Sequence, residues 1–372
     1  MKPMDLTKFR NKLTASIPGI SIGSRNPTDW LSFGHYAFNW LMGGDFYKAF
    51  PLGKVMVLAG EPGSGKSYLL AQAMIDAQRQ GMYVIDFDSE NAHDAEWLER
   101  LGFDTKDPKY LKVDVYLVDQ VAGSIDSFLK DYEETYKDVE ISERPKVLIA
   151  VDSFSMLNTP SDIAQFERGD MKGDMGRQAK QLKALVKACV VRFGMQNIGM
   201  IGTAHTSASQ DMFNPDANIS GGMGIIYVAS MVAAFRKWKL KLNEQGEKTV
   251  TQGIRTNAVQ RKSRYNVSAL WKDVDVHIDT TSGIRPYSGL QELLEMLGLL
   301  VKDGSMVTYT DLKGQVHSHR VSGKGKSPIP KEFFHIVMDE WPVRKESINL
   351  KVDEELRAKL AAQEKEAEAD EI

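Results

Sequence analysis

The sequence predicts an α/β protein with a mostly parallel central sheet flanked by helices, and three observations predict it. From Val55 onward, short apolar strands alternate with amphipathic helical stretches, the pattern of parallel strands covered on both faces. Between the first such strand, VMVLA, and the first such helix stands GEPGSGKS, residues 60–67. After Gly224 the rhythm changes to longer strand-like runs joined by short turns, which reads as a hairpin extension of the sheet.

Taken in order, residues 1–32 read as an arm that serves as a linker or in oligomerisation. A short helical stretch, MDLTKFRNKLTAS, is followed by a segment broken at Pro18, Gly19, Gly23 and Pro27. The core is expected over 33–285. HYAFNWLMGG has helical spacing and ends on a glycine pair suited to a C-cap. Strands are expected at VMVLA, at 83–88, near 113–118, at 146–153 and at 198–205. Helices are expected from the glycine-rich turn to about Gln80, through 94–102, over 124–137 and over about 174–194. Pro286 opens a small C-terminal α+β unit, 286–346, and 347–372 reads as an acidic helical tail.

Composition bounds the function classes. The chain has 372 residues, 42% hydrophobic and 26% charged, ordinary values for a globular core. The single cysteine, Cys189, rules out a disulfide framework or a cysteine-rich zinc site. It shares a helical face with Leu182, Leu185 and Val186, so it reads as a small buried hydrophobe. No run of 18 apolar residues spans a membrane, and the start lacks the apolar core of a secretory signal. A cytoplasmic protein without membrane partners is the expectation. Net charge is −3, but QEKEAEADEI at the end carries −4, leaving the body at +1 with basic loops. Such a body can still bind a phosphate backbone. The tail can compete with such a backbone for that basic surface, or can simply solubilise a helix end. Deletion from Gln363 tests the first reading across a salt series.

GEPGSGKS matches G-x-x-x-x-G-K-[ST] at Gly60, Gly65, Lys66 and Ser67. Glycines let backbone N–H groups converge on phosphate, and Glu61, Pro62, Gly63, Ser64 and Tyr68 complete the loop and its exit. The following helix aims its positive end at the same point. Lys66 suits the β- and γ-phosphates of ATP, and the Ser67 hydroxyl suits Mg2+. The strand KVLIAVDS ends in Asp152, placed to hold the Mg2+ shell or, alternatively, to cap a helix. MYVIDFDSEN brings Asp86, Asp88 and Glu90 to another strand end. There Glu90 either orients a water for attack on the γ-phosphate or belongs to a solvated acidic loop. His317 and His319 lack further ligands and read as hairpin residues rather than a metal site.

The order of phosphate loop, DSE strand, VDS strand and GMIGTAHTSASQDMFNPDANISGGMGIIYVAS resembles the RecA/Rad51 superfamily of recombinases, nearest its T-even-type phage members. GIRPYSGLQELLEMLGLLVKDGSMVTY resembles the stretch that closes the core of that family, and the likeness covers about residues 50–310. The resemblance implies a RecA-like ATPase core and a DNA-dependent ATPase acting in strand exchange. It implies ATP and Mg2+ as cofactors. Single-stranded DNA is the primary partner and double-stranded DNA the secondary one. Self-association into a helical filament follows, with a mediator and a single-strand-binding protein as further partners and an infected bacterial host as the setting if the chain is phage-encoded. It assigns water activation to Glu90, the adenine position to Asp94 and Trp97, and γ-phosphate sensing to His205. Lys262 and Arg264 reach a neighbouring subunit's nucleotide. The first DNA loop falls within 158–177, with Arg168, Lys172 and Arg177, ahead of a helix bearing Lys180, Lys183 and Lys187. The second spans 206–224, with Met212, Phe213, Asn214, Pro215, Gly221 and Gly222. The packing alternatives are a helix-face role for Trp97, an apolar anchor for Met212 and Phe213, and a structural strand-end histidine for His205. Two rivals share parts of this reading: a hexameric helicase, for which 32 preceding residues are too few, and a coating or mediator filament without strand exchange.

Overall fold

The computed structural model describes residues 6–16, 26–169, 175–207, 218–219, 223–242, 250–266, 273–279, 282–321 and 329–348. Helix α1 (Leu6–Ser16) comes first, with Leu6 and Phe9 exposed. Strands β1 (Trp30–Leu31) and β2 (Phe50–Pro51) pair antiparallel around α2 (Tyr36–Gly43). Leu31 is fully buried, and the Ser32 N–H donates to Asp76 at 2.8 Å, so the end of the expected arm joins the body. The α2 helix is capped as its sequence suggests: His35 Nδ1 accepts from the Phe38 N–H, and Gly44 takes φ 70° beyond the last turn.

The alternating region follows as β3 (Val55–Gly60), α3 (Lys66–Arg79), β4 (Tyr83–Asp88), α4 (Ala95–Leu101), β5 (Tyr110–Asp114), α5 (Val118–Thr135), β6 (Val147–Asp152), α6 (Pro160–Glu167), α7 (Met175–Phe193) and β7 (Ile198–Ser207). Then come β8 (Asn218–Ile219), α8 (Met223–Val228), β9 (Met231–Leu242), β10 (Val250–Lys262), β11 (Asp273–Asp279) and β12 (Gly283–Ile284). The order across the main sheet is β12-β11-β10-β9-β3-β7-β6-β4-β5, with β8 paired to the end of β7. The run from β5 to β9 is parallel, and β10 to β12 add antiparallel strands. The predicted α/β architecture with a mostly parallel sheet is therefore the observed one.

Three elements differ from expectation. Helix α5 starts at Val118 rather than 124, because the Gln120 side chain accepts the Tyr116 and Leu117 N–H groups at 3.0 and 3.1 Å and closes the helix start. The strand before it is accordingly earlier, at Tyr110–Asp114. Within 158–177, where an irregular loop is expected, Thr159-Pro160 starts α6. Asp162 bonds back to the Thr159 N–H at 2.7 Å, and proline occupies the first turn.

The sheet separates two apolar layers. Met56 and Leu58 of β3 face α2, α3 and the C-terminal helices. Val55, Val57 and Ala59 face α5, α7 and α8, the period-two alternation of a strand buried on both sides. Cys189 lies in the second layer, 2% exposed as its helical spacing predicts, and burial pushes its thiol up to about 12. The C-terminal unit comprises α9 (Leu290–Met296), a three-stranded sheet of β13 (Val301–Asp303), β14 (Met306–Thr310) and β15 (Val316–Arg320), and α10 (Lys331–Asp339). Phe333, Phe334 and Trp341 pack into the same layer as Trp40 and Phe46, and Trp341 Nε1 donates to the Gly44 carbonyl at 2.8 Å. No described helix is long and apolar enough to cross a membrane.

Candidate functional site

The parallel strands end together on one edge. Gly60 lies in register with His205 on one side and Phe235 on the other, and Asp88 lies in register with Asp152. The carboxyl edge of an open parallel sheet is where such folds bind ligands. The GEPGSGKS turn rises from the central strand of this edge. Gly63 and Gly65 take φ 69° and 92°. A Cβ on Gly65 would stand 2.3 Å from Ile278 Cδ1, and one on Gly60 would stand 2.6 Å from Ser64 Oγ. Backbone conformation thus favours glycine at 63 and 65, and space favours it at 60.

Lys66 opens α3 and is buried. Its ammonium donates to the Gly60 and Glu61 carbonyls at 3.0 Å each. Burial holds its pKa below the ordinary lysine value, partly opposed by the charges of Asp152 and Glu90. A second lysine, Lys237 of β9, donates to the Pro62 carbonyl and adds positive charge beside Lys66. Asp152 is 1% exposed. Burial acts to raise its pKa, but the His93 ring and the hydroxyls of Thr203 and Ser67 outweigh this and hold it low. The Asp152–Ser153 peptide is cis.

Glu90 faces the same edge. One of its carboxylate oxygens accepts from the Ser153 hydroxyl and meets His205 Nε2 at 2.8 Å. Asp88, by contrast, is a structural group. It accepts the N–H groups of Glu90, Ala92 and His93 at 3.1, 3.2 and 3.0 Å and pairs with Lys112 at 3.0 Å. Burial acts upward on its pKa, and these donors hold it low. Asp86 is fully buried and paired with His93.

Ser64 Oγ, Asp152 Oδ2 and His205 Nδ1 are buried without a hydrogen-bonded partner among the described residues. His93 Nε2 lies 3.1 Å from that Asp152 oxygen, within ion-pair reach but off hydrogen-bond alignment. Unsatisfied polar atoms around a glycine cradle are the surroundings that a phosphate and its hydrated cation need. The donor set therefore fits a Mg2+-nucleotide.

Asp94 caps α4, accepting the Trp97 N–H at 2.7 Å. Trp97 lies half-buried against His93, with rings 5.8 Å apart and 11° from parallel, and meets Tyr68 edge-on. Lys262 and Arg264 do not approach the phosphate loop of their own chain. Phe235, level with Gly60, pairs with Ala258, and Lys262 lies four residues further on, roughly 13 Å along the strand. The Lys262 ammonium instead donates to the Ile226 and Tyr227 carbonyls at the end of α8, at 3.2 and 2.7 Å. Arg168 donates back to the Ala164 carbonyl, and Arg177 is exposed on α7 in line with exposed Lys180, Lys183 and Lys187. Lys172, Met212, Phe213, Asn214, Pro215, Gly221 and Gly222 lie outside the described residues, as do the basic loop at 322–328 and the acidic end of the chain. Flanking 208–217, Thr206 and Ser207 at the end of β7 pair with Ile219 and Asn218.

Sequence reasoning missed His93, Thr203 and Lys237. Thr203 and Lys237 sit within strands and His93 in the loop after β4, and local pattern there does not tell which way a side chain turns.

No family model matches the chain. Among curated proteins it is similar to the RecA protein of Corynebacterium jeikeium, 27% identical over 292 residues, 77% of this chain and 70% of that protein. It is 25% identical to the RecA protein of Tropheryma whipplei over 267 residues, 70% of this chain and 55% of that one. It is 27% identical to the recombination and repair protein of Enterobacteria phage T4 over 252 residues, 67% of this chain and 59% of that one. The chain thus spans less than two thirds of the length of the last two. With the parallel core and its phosphate loop, these likenesses make the chain a homologue of the RecA proteins and of the phage T4 recombination and repair protein.

Proposed function

We propose that the chain is a DNA-dependent ATPase that assembles into helical filaments on single-stranded DNA and exchanges strands in homologous recombination and repair. The observation that carries this reading is the 2.8 Å contact between Glu90 and His205. It joins the group placed to activate water to the residue from which the 206–224 segment departs. Movement of either side chain changes the other's surroundings, so nucleotide state and segment position are linked in both directions.

The Ser64, Gly65 and Lys66 region holds the phosphates of ATP. Ser67 and Asp152 hold Mg2+, which when bound neutralises phosphate charge. Glu90 accepts the proton of the attacking water, and the Ser153 hydroxyl fixes its carboxylate. Trp97, with Asp94 behind it, offers an aromatic edge for adenine. Lys262 and Arg264, distant from their own phosphate loop, serve the nucleotide of an adjacent copy. That contact is heterologous and propagates into a filament. Arg168, Lys172 and Arg177 serve the first DNA segment, and Met212, Phe213, Asn214, Gly221 and Gly222 the second. Duplex DNA is the secondary ligand, and a mediator and a single-strand-binding protein are partners by the same family reading.

The test measures ATP hydrolysis and single-strand binding, with and without each ligand, for the wild type and Glu90→Gln. Hydrolysis stimulated by DNA and binding that requires ATP are expected. The substitution should abolish turnover and leave ATP-dependent binding intact. Equal DNA affinity with and without nucleotide would overturn the reading.

A further inference from the structure

Behind the carboxylate assigned to Mg2+ lies a buried cluster that the mechanism above does not use. His93 is 1% exposed and Asp86 fully buried. His93 Nδ1 lies 3.0 and 2.9 Å from the two oxygens of Asp86, and Nε2 lies 3.1 Å from Asp152 Oδ2. One ring therefore spans a carboxylate of β4 and the carboxylate that ends β6.

His93 is anchored through both its backbone and its ring. Its backbone N–H donates to Asp88, and Lys112 donates to its carbonyl at 2.9 Å. Trp97 lies flat against the imidazole. Asp86 is braced by the Tyr110 hydroxyl, which donates to it at 3.0 Å. The other oxygen of Asp152 accepts from the Thr203 hydroxyl. With one oxygen bonded to Thr203 and the other 3.1 Å from the anchored ring, the Asp152 carboxylate is constrained from both sides.

We infer that His93 is a positioning residue: by bridging Asp86 and Asp152 it orients the carboxylate that serves the nucleotide's Mg2+. The inference rests on the nucleotide-site reading. Outer groups of this kind orient metal-binding side chains. Packing alone does not call for them, since an apolar pair in place of a buried ion pair is often neutral or stabilising.

The experiment compares the full chain with His93→Leu and with Asp86→Leu/His93→Leu. The single substitution strands the Asp86 carboxylate and is expected to lower the melting temperature. The double substitution removes both groups and should restore it. Binding of a fluorescent ADP is then titrated with Mg2+. The double variant should bind ADP without Mg2+ as the wild type does, but should need ~10–100-fold more Mg2+ to reach tight binding. An unchanged Mg2+ requirement, or an equal loss of Mg2+-free binding, overturns the role of His93. A wild type that shows no Mg2+-dependent ADP binding brings down the nucleotide-site reading as well. Nitrogen-15 NMR of the imidazoles provides a readout that does not depend on the variants folding. Adding Mg2+ to the ADP-bound wild type should shift the His93 ring signals, and signals that stay fixed overturn the inference.

Discussion

At the scale of single residues, the candidate site is defined by what each side chain is denied. Gly65 is strained by any Cβ, because its φ of 92° lies where side chains are disfavoured and the Ile278 Cδ1 methyl, 2.3 Å from the Cβ position, would have to shift. Gly65→Ala is expected to cost about 1–3 kcal/mol in a denaturant titration and to abolish nucleotide binding. A variant of unchanged midpoint would contradict the geometry. Lys237 presents a different case. It is exposed, and its bond to the Pro62 carbonyl joins β9 to the crest of the phosphate loop. Lys237→Met should leave the melting temperature almost unchanged while weakening ATP binding, because a charge beside the phosphates is lost and no core contact is. Calorimetry on the two forms separates these effects.

At the scale of elements, capping and burial decide where helices begin and how they attach. Helix α8 is short, and its last carbonyls are satisfied in part by the Lys262 ammonium. Lys262→Met should therefore loosen α8, seen as faster amide exchange across 225–228, at a cost of about 0.3–1 kcal/mol. Helix α10 packs onto the core through side chains such as Phe334. Phe334 stacks on Tyr287 at 5.7 Å and is 5% exposed. Phe334→Ala should cost roughly 3–5 kcal/mol and free the C-terminal unit for limited proteolysis before the sheet core is cut.

At the scale of the whole molecule, charge bears on acid stability and on the proposed binding of single-stranded DNA. The Arg285 guanidinium bonds Asp279 at 2.8 Å from two nitrogens and holds its carboxyl below the usual range. Around Asp29, burial acts upward, and Lys146, Thr28 and Asn197 overcome it. Both groups bind a proton more weakly in the folded chain than in the unfolded one. Their stabilisation is therefore complete above an unfolded value near ~4 and is lost as pH falls through the lower folded values. Melting temperature should drop across that acid window, and Asp279→Asn should flatten the drop. Single-strand binding should weaken steeply with salt, each phosphate contact contributing a slope of about −0.7 in the logarithmic plot.

Much of this protein follows from local pattern. The alternation of apolar strands with amphipathic helices, the glycine spacing of 60–67 and the apolar run ending at Asp152 each depend on neighbours in sequence, so the sheet and its glycine-rich turn were legible there. The start of α5 was missed because Gln120 acts on N–H groups before it, and α6 was missed although Thr159-Pro160 and Asp162 carried its signal. Only the tertiary structure decided that Asp86 and Asp88 turn inward to partners while Glu90 turns out to His205, 115 residues away. It alone brought His93 against Asp152 and carried Lys262 away from its own phosphate loop. The reason is that strand order and register set these distances, and both are fixed by how the two apolar layers pack against the sheet rather than by any segment's own sequence.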